Sequence, residues 1–308
     1  MSFKGLKPIL YGGREVWPLV EGGKGVAATN HMSSGAWAAA GGIGTVSAVN
    51  ADSYDAEGKI VPQVYDALTR RERHEQLIRF GIAGGVEQVR RAYEISGGKG
   101  AININVLWEM GGAQAVLEGI LDQTRGMVTG VTCGAGMPYK LSEIAERYNV
   151  YYLPIVSSGR AFRALWKRAY HKVPELLGAV VYEDPWLAGG HNGLSNAEDP
   201  RKPEDPYPRV KVLRDVMRAE GISDDVPIVM RSQWSGPTSR TRTPRSTSAC
   251  HVAVRSLNCP NNTKLASDFT VSKPDCAAQI TNSSRSVRIC SKSFCNSLAN
   301  SNAVLATT

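Results

Sequence analysis

The residues best suited to chemistry lie between Gly178 and Gly193, in the run GAVVYEDPWLAGGHNG. An acid, Glu183, closes a short apolar stretch, and a glycine pair, Gly189-Gly190, then leads into His191, Asn192 and Gly193. Imidazole is the side chain that titrates near neutral pH without help, and paired glycines let a backbone come close to a flat ligand. The pattern suits a base that moves a proton beside a planar group. A tight turn ending in a surface histidine uses the same residue types, so the surrounding elements must decide between the two.

Those elements alternate. Apolar runs at 16–20, 44–49, 101–107, 127–133, 151–156, 179–183 and 226–230 read as strands, the first weakened by Pro18. Between them, helical spacing is visible at 30–40, over 64–80 and 86–96, then at 113–121, around Leu141, Ile144 and Tyr148, after Ser158, and at 209–220. Seven strands alternating with six helical crossovers predict a parallel α/β sheet. Glycine-bearing or polar loops follow many of the strands: Gly22-Gly23, Gly111-Gly112, Gly134-Ala135-Gly136, Ser157-Ser158-Gly159 and Gly189-Gly190. Special loops after so many successive strands suit a TIM (β/α)8-type barrel, in which all of them meet at one mouth; an open sheet needs only those at its switch point.

Composition separates the chain into two parts. Of 31 glycines, only Gly236 lies beyond residue 231, and of 6 cysteines only Cys133 lies before it. The last 77 residues hold nine basic and two acidic side chains, and so carry seven of the formal +8. The body is close to neutral, which argues against nucleic acid as its partner, and the tail lacks the clustered basic and aromatic residues of a nucleic-acid grip. No apolar run reaches the roughly 18 residues of a membrane span. With one thiol in the body, the expectation is a soluble, cytoplasmic protein. Cys133 reads as a small buried hydrophobe, and His31, His74 and His171 as histidines without paired ligands.

The glycine loop Glu21-Gly22-Gly23-Lys24-Gly25, the stretch AAAGGIGT from Ala38, Ile104-Asn105-Val106, and above all Ala188-Gly189-Gly190-His191-Asn192-Gly193 resemble the nitronate monooxygenase family, once called 2-nitropropane dioxygenases, over residues 10–231. The resemblance implies a TIM barrel carrying FMN across its mouth, with Gly22, Gly23, Asn105, Glu183, Gly189 and Gly190 beside the flavin. It implies His191 as the catalytic base, or as a donor to the nitro oxygens. The substrates it implies are alkyl nitronates or nitroalkanes with molecular oxygen. An enoyl-thioester reductase drawing hydride from a nicotinamide resembles the chain in the same Gly-Gly-His loop and stays open as an alternative.

The chain also departs from that family. The resemblance implies a glycine pair after the seventh strand and Gly-Thr-Arg after the eighth to hold the flavin phosphate. Here Met230-Arg231-Ser232-Gln233 follows the seventh, and no Gly-Thr-Arg comes later. The expected organisation is a flavin-binding, barrel-like domain at 1–231, incomplete with seven readable strands, and a Ser/Thr/Arg-rich, Cys-containing tail at 232–308 of disordered composition. The abrupt change at residue 231 suggests a shifted reading frame or a mis-joined exon. A third reading follows: a non-catalytic, truncated barrel. The tail cysteines, at 250, 259, 276, 290 and 295, contain no CxxC pair and suit no zinc site.

Overall fold

The computed structural model describes residues 7–134, 136–186, 194 and 198–231, and short strands within 270–307. A hairpin, β1 (Ile9–Tyr11) and β2 (Arg14–Val16), opens the chain. Seven strands follow: β3 (Leu19–Glu21), β4 (Ile43–Ser47), β5 (Ala101–Leu107), β6 (Gly130–Gly134), β7 (Tyr151–Val156), β8 (Val180–Glu183) and β9 (Ile228–Arg231). They pair in parallel, each with its successor, as right-handed βαβ repeats do. The crossovers carry α1 (His31–Ala39), α2 (Arg70–Ser96), α3 (Ala113–Gln123), α4 (Leu141–Tyr148), α5 (Gly159–Arg168) and α6 (Pro206–Ala219).

The result is the expected barrel with a seven-strand parallel wall. Strands β10 (Thr270–Ser272), β11 (Ala278–Asn282) and β12 (Arg285–Ile289) form a small antiparallel sheet. A last strand, β13 (Ala303–Thr307), lies antiparallel between β3 and β9. The eighth place in the ring is therefore taken by a single reversed strand, and no eighth βα unit occurs among the described residues.

Two expectations needed correction. The first strand is broken at Trp17-Pro18 into β2 and β3, because proline has no N–H to give a ladder and fixes its own φ. The two helical stretches after β4 are one continuous helix, α2. Its glycines are there for close packing and do not interrupt it: a Cβ on Gly84 would lie 2.0 Å from the Ala51 carbonyl oxygen, and one on Gly85 would lie 2.2 Å from Ile120 Cδ1. Helix ends follow their caps. Asn30 accepts from Met32 and Ser33 N–H at the start of α1, Thr69 caps α2, and Ser158 accepts from Ala161 N–H at the start of α5.

Strand alternation sorts the core into two layers. Ile102, Ile104 and Val106 face outward with Val131, Cys133, Tyr152 and Tyr182, against helix residues such as Val89, Leu117 and Leu165. Val20, Ile43, Ala101, Leu153, Ile155, Val181 and Val229 face the barrel axis. The hairpin closes the end from which the strands start: Ile9, Tyr11 and Val16 pack onto that axial set, and Tyr11 is 2% exposed.

Candidate functional site

The strands' C-terminal ends open into a cleft of about 210 Å³ lined by Gly23, Lys24, Gly25, Val49, Asn105, Val106, Leu107, Gly134 and Ile155. It draws on five successive strand ends, β3 to β7, as a barrel mouth should. Gly23 has to be glycine there: a Cβ would sit 2.3 Å from Asn105 Cβ and 2.9 Å from Thr45 Cγ2. The loop after β3 thus lays bare backbone directly on the Asn105 side chain. Thr29 fastens that loop, since its hydroxyl accepts from Lys24 N–H at 3.1 Å and its carbonyl accepts from Ser47 N–H at 3.2 Å. Val26 and Ala27 hold φ values of 51° and 57° in the same loop. Left-handed backbone at a β-branched residue is strained, and such strain persists where the surroundings over-determine it.

Beneath the cleft the axial face turns polar. Thr45 and Asn103 are register partners on β4 and β5, as are Ser47 and Asn105. Asn103 is fully buried, and its Oδ1 accepts from the Tyr11 hydroxyl at 2.8 Å. Burial pushes the Tyr11 hydroxyl far above the ordinary phenol range. Glu21, 1% exposed at the end of β3, accepts the Thr45 N–H through Oε2 at 2.9 Å. Glu183, also 1% exposed, ends β8 two residues after the axial Val181.

The structure therefore brings Gly23 and Asn105 into contact, with Gly22 next in the same loop, and sets Glu183 at the mouth on a strand that does not line the cleft. His191, Gly189 and Gly190 lie outside the described residues. Glu21, Thr45 and Asn103 were missed from sequence. The signal for them was position, at a strand's C-terminal end for Glu21 and one or two alternations back from it for Thr45 and Asn103, and not residue type.

The two flanks of the segment that carries the Gly-Gly-His run are described. Trp186 Nε1 donates to the Asp199 carbonyl at 3.0 Å, and the Trp186 N–H donates to Asp184 Oδ1 at 2.8 Å. Arg209 of α6 lies over the Trp186 ring, 5.1 Å from its centroid. Its guanidinium pairs with Glu198 and Glu204 and donates to the Ser157 carbonyl at 3.3 Å. Burial pulls the guanidinium down, but the bonds to Glu198 and Glu204 hold it above its ordinary range. Burial pushes the nearby Tyr182 hydroxyl up to about 12.

Two other histidines, His31 and His171, are held by their neighbours. Gln88 Oε1 accepts from the His31 backbone N–H at 2.7 Å while Gln88 Nε2 donates to the Asp52 carbonyl at 2.6 Å. Those two bonds fix the amide's orientation, so the His31 Nδ1, 2.9 Å from Oε1, carries the proton. Burial lowers the His31 pKa below its ordinary value. His171 Nδ1 lies 2.9 Å from the Trp166 carbonyl. Cys133 is fully buried in the outer layer, where burial pushes its thiol well up.

No family model matches the chain, and no curated protein does. Solved structures similar to it include FabK from Thermotoga maritima, at 17% identity and a TM-score of 0.39, covering 68% of this chain and 49% of that one. A substituted form of the same FabK is 14% identical with a TM-score of 0.42, over 68% of this chain and 52% of that one. Nitroalkane oxidase from Streptomyces ansochromogenes is 14% identical with a TM-score of 0.44, over 69% of this chain and 57% of that one. The chain spans about half the length of these structures. Among the described residues, no helix is long and apolar enough to cross a membrane.

Proposed function

We propose that the chain is an FMN-dependent oxidoreductase that oxidises alkyl nitronates or nitroalkanes with molecular oxygen, the flavin ring seated in the mouth cleft over residues of the 1–231 domain. The observation that carries this reading is the contact of Gly23 with Asn105, which makes bare backbone and a carboxamide one continuous polar edge. The other walls, Val49, Leu107 and Ile155, are aliphatic. A slot with one polar edge and apolar faces fits a planar heteroaromatic ring that hydrogen-bonds only along its rim. The carboxamide can both donate and accept there. The cleft's volume suits a ring and not a whole dinucleotide. The loops after β9, where the family's phosphate site belongs, lie outside the described residues.

When bound, the flavin supplies the electron acceptor and the chemistry with oxygen that no side chain here provides. The chain's own work is binding, orientation and proton handling. Gly22 and Gly23 bring backbone N–H groups to the ring's edge, and Asn105 fixes which edge that is. Val49, Leu107 and Ile155 keep water from its faces. His191, with Gly189 and Gly190 beside it, takes the proton from the carbon bearing the nitro group at a free imidazole nitrogen, a task suited to a base near neutral pH. Glu183 closes the mouth on the β8 side.

The test is oxygen uptake by the purified chain, reconstituted with FMN, given 2-nitropropane, whose carbon beside the nitro group still carries its proton, and no nicotinamide. Uptake that falls by about 100-fold or more in His191→Ala supports the reading, in line with the loss of a general base. Anaerobic NADH oxidation by an enoyl thioester, without nitronate turnover, assigns the reductase chemistry instead.

A further inference from the structure

The axial layer beneath the cleft holds two polar groups that the fold leaves unpaired. Thr45, Asn103 and Gly130 are register neighbours across β4, β5 and β6, so their positions lie side by side on the barrel's inner face. Thr45 is 1% exposed and Asn103 fully buried. Among the described residues, neither Thr45 Oγ1 nor Asn103 Nδ2 has a hydrogen-bond partner. The Asn103 amide is oriented from below, because reversing it would strand the buried Tyr11 hydroxyl hydrogen that Oδ1 now accepts. That oxygen is on the β6 side, where a Cβ on Gly130 would lie 3.0 Å from it, so the nitrogen is turned to the β4 side, toward Thr45. Buried polar groups of native proteins are paired, and leaving them otherwise is costly.

We infer that Thr45 and Asn103 hold one buried water between them, and that this water orients the Asn105 carboxamide at the cleft. Charge selects the occupant. The amide hydrogens of Asn103 repel a cation. The acidic Glu21, which accepts the Thr45 N–H through Oε2 at 2.9 Å, disfavours an anion. A small neutral molecule that both accepts and donates fits, and water does both. A buried water makes about three hydrogen bonds, so one remains beyond Thr45 and Asn103. In the layer above, Ser47 follows Thr45 and Asn105 follows Asn103. The Ser47 hydroxyl is engaged by the Val49 N–H at 3.2 Å and the Val49 carbonyl at 3.3 Å. Asn105 flanks Thr45 across Gly23, where a Cβ would lie 2.6 Å from Asn105 Cγ and 2.9 Å from Thr45 Cγ2. The carboxamide therefore takes the third bond, and Thr45 and Asn103 are positioning residues that act through it. One end of the carboxamide is held down by the water and the other is left for the ring's edge. That last effect rests on the flavin reading; the water itself does not.

Two measurements test this. A high-resolution crystal structure of the full chain without flavin should show a water within hydrogen-bond distance of Thr45 Oγ1, Asn103 Nδ2 and the Asn105 carboxamide, and should lack it in Thr45→Val. An ion at that place, a direct bond between Thr45 and Asn103, or no density overturns the inference. FMN titration then reads the positioning. Thr45→Val keeps the shape and removes the hydroxyl, so it should raise the dissociation constant about 5-fold, the worth of one hydrogen bond, while Thr45→Ser keeps native affinity. Adding Thr45→Val to Asn105→Ala should cost nothing more, because the two act along one path. Leu68→Glu, at a side chain 91% exposed before α2, is the control whose affinity and melting temperature stay native. Additive losses in the double variant, or an equal loss in Thr45→Ser, overturn the positioning role. A chain that shows the water and binds no FMN supports the water site and refutes the flavin reading, so the two failures are distinguishable.

Discussion

The two ends of the barrel are built from the same strands and from different materials. Where the strands begin, the axial positions are Ile43, Ala101 and neighbouring aliphatics, sealed by Ile9, Tyr11 and Val16 of the hairpin. Where they end, the axial positions become Thr45, Ser47, Asn103, Asn105 and Glu183, and glycines replace side chains in the loops. Asn103 marks the boundary, with its oxygen taken by Tyr11 from below. The difference teaches that the chain packs one end for stability and leaves the other polar and open, where the proposed function puts its chemistry. Substitutions at the two ends should therefore fail in different ways.

The largest effect is expected at the closed end. Tyr11→Ala removes a ring that is 2% exposed and strands the Asn103 oxygen, which should cost about 3–5 kcal/mol of stability, read from urea unfolding. At the open end, Gly23→Ala forces the β3 loop off Asn105 and should weaken FMN binding by about 100-fold while shifting the melting temperature little; fluorescence-quenching titration measures this. Asn105→Ala keeps the cleft and removes its carboxamide, so affinity should fall only about 10-fold, the worth of one or two hydrogen bonds. A Gly23→Ala chain that unfolds, or a Tyr11→Ala chain that loses only flavin, would break the comparison.

The smallest effect concerns pH. His31 has its pKa lowered by burial, so the unfolded chain binds the proton more readily than the folded one. Its contribution to stability is present above about pH 6.5, the ordinary histidine value, and is lost as pH falls through and below that value. Melting curves from pH 7.5 down to 5.5 should therefore decline less steeply in His31→Gln than in the native chain.

Much of the wall was legible. The ranges 101–107 and 151–156 match β5 and β7, and Ser158 was readable at the start of α5 because its side chain satisfies a helix N–H locally. Pro18 announced the break that divides β2 from β3. The continuity of α2 was not readable, since Gly84 and Gly85 look like a break until Ala51 and Ile120 are seen pressed against them. The site was legible in part. Gly23 and Asn105 were both singled out, but their contact spans two crossovers. AININVL shows two alternating faces, yet both faces of a barrel strand are buried, so alternation does not say that the asparagines look inward. Glu21 and Thr45 were missed for the same reason.

The most direct test of the central claim is FMN titration of the purified 308-residue chain, native and Gly23→Ala, with Leu68→Glu as a control outside the mouth. The account predicts saturable one-to-one binding in the native and Leu68→Glu chains and its loss in Gly23→Ala, with all three melting alike. A native chain that binds no flavin, or a Gly23→Ala chain that binds it equally well, would contradict the account.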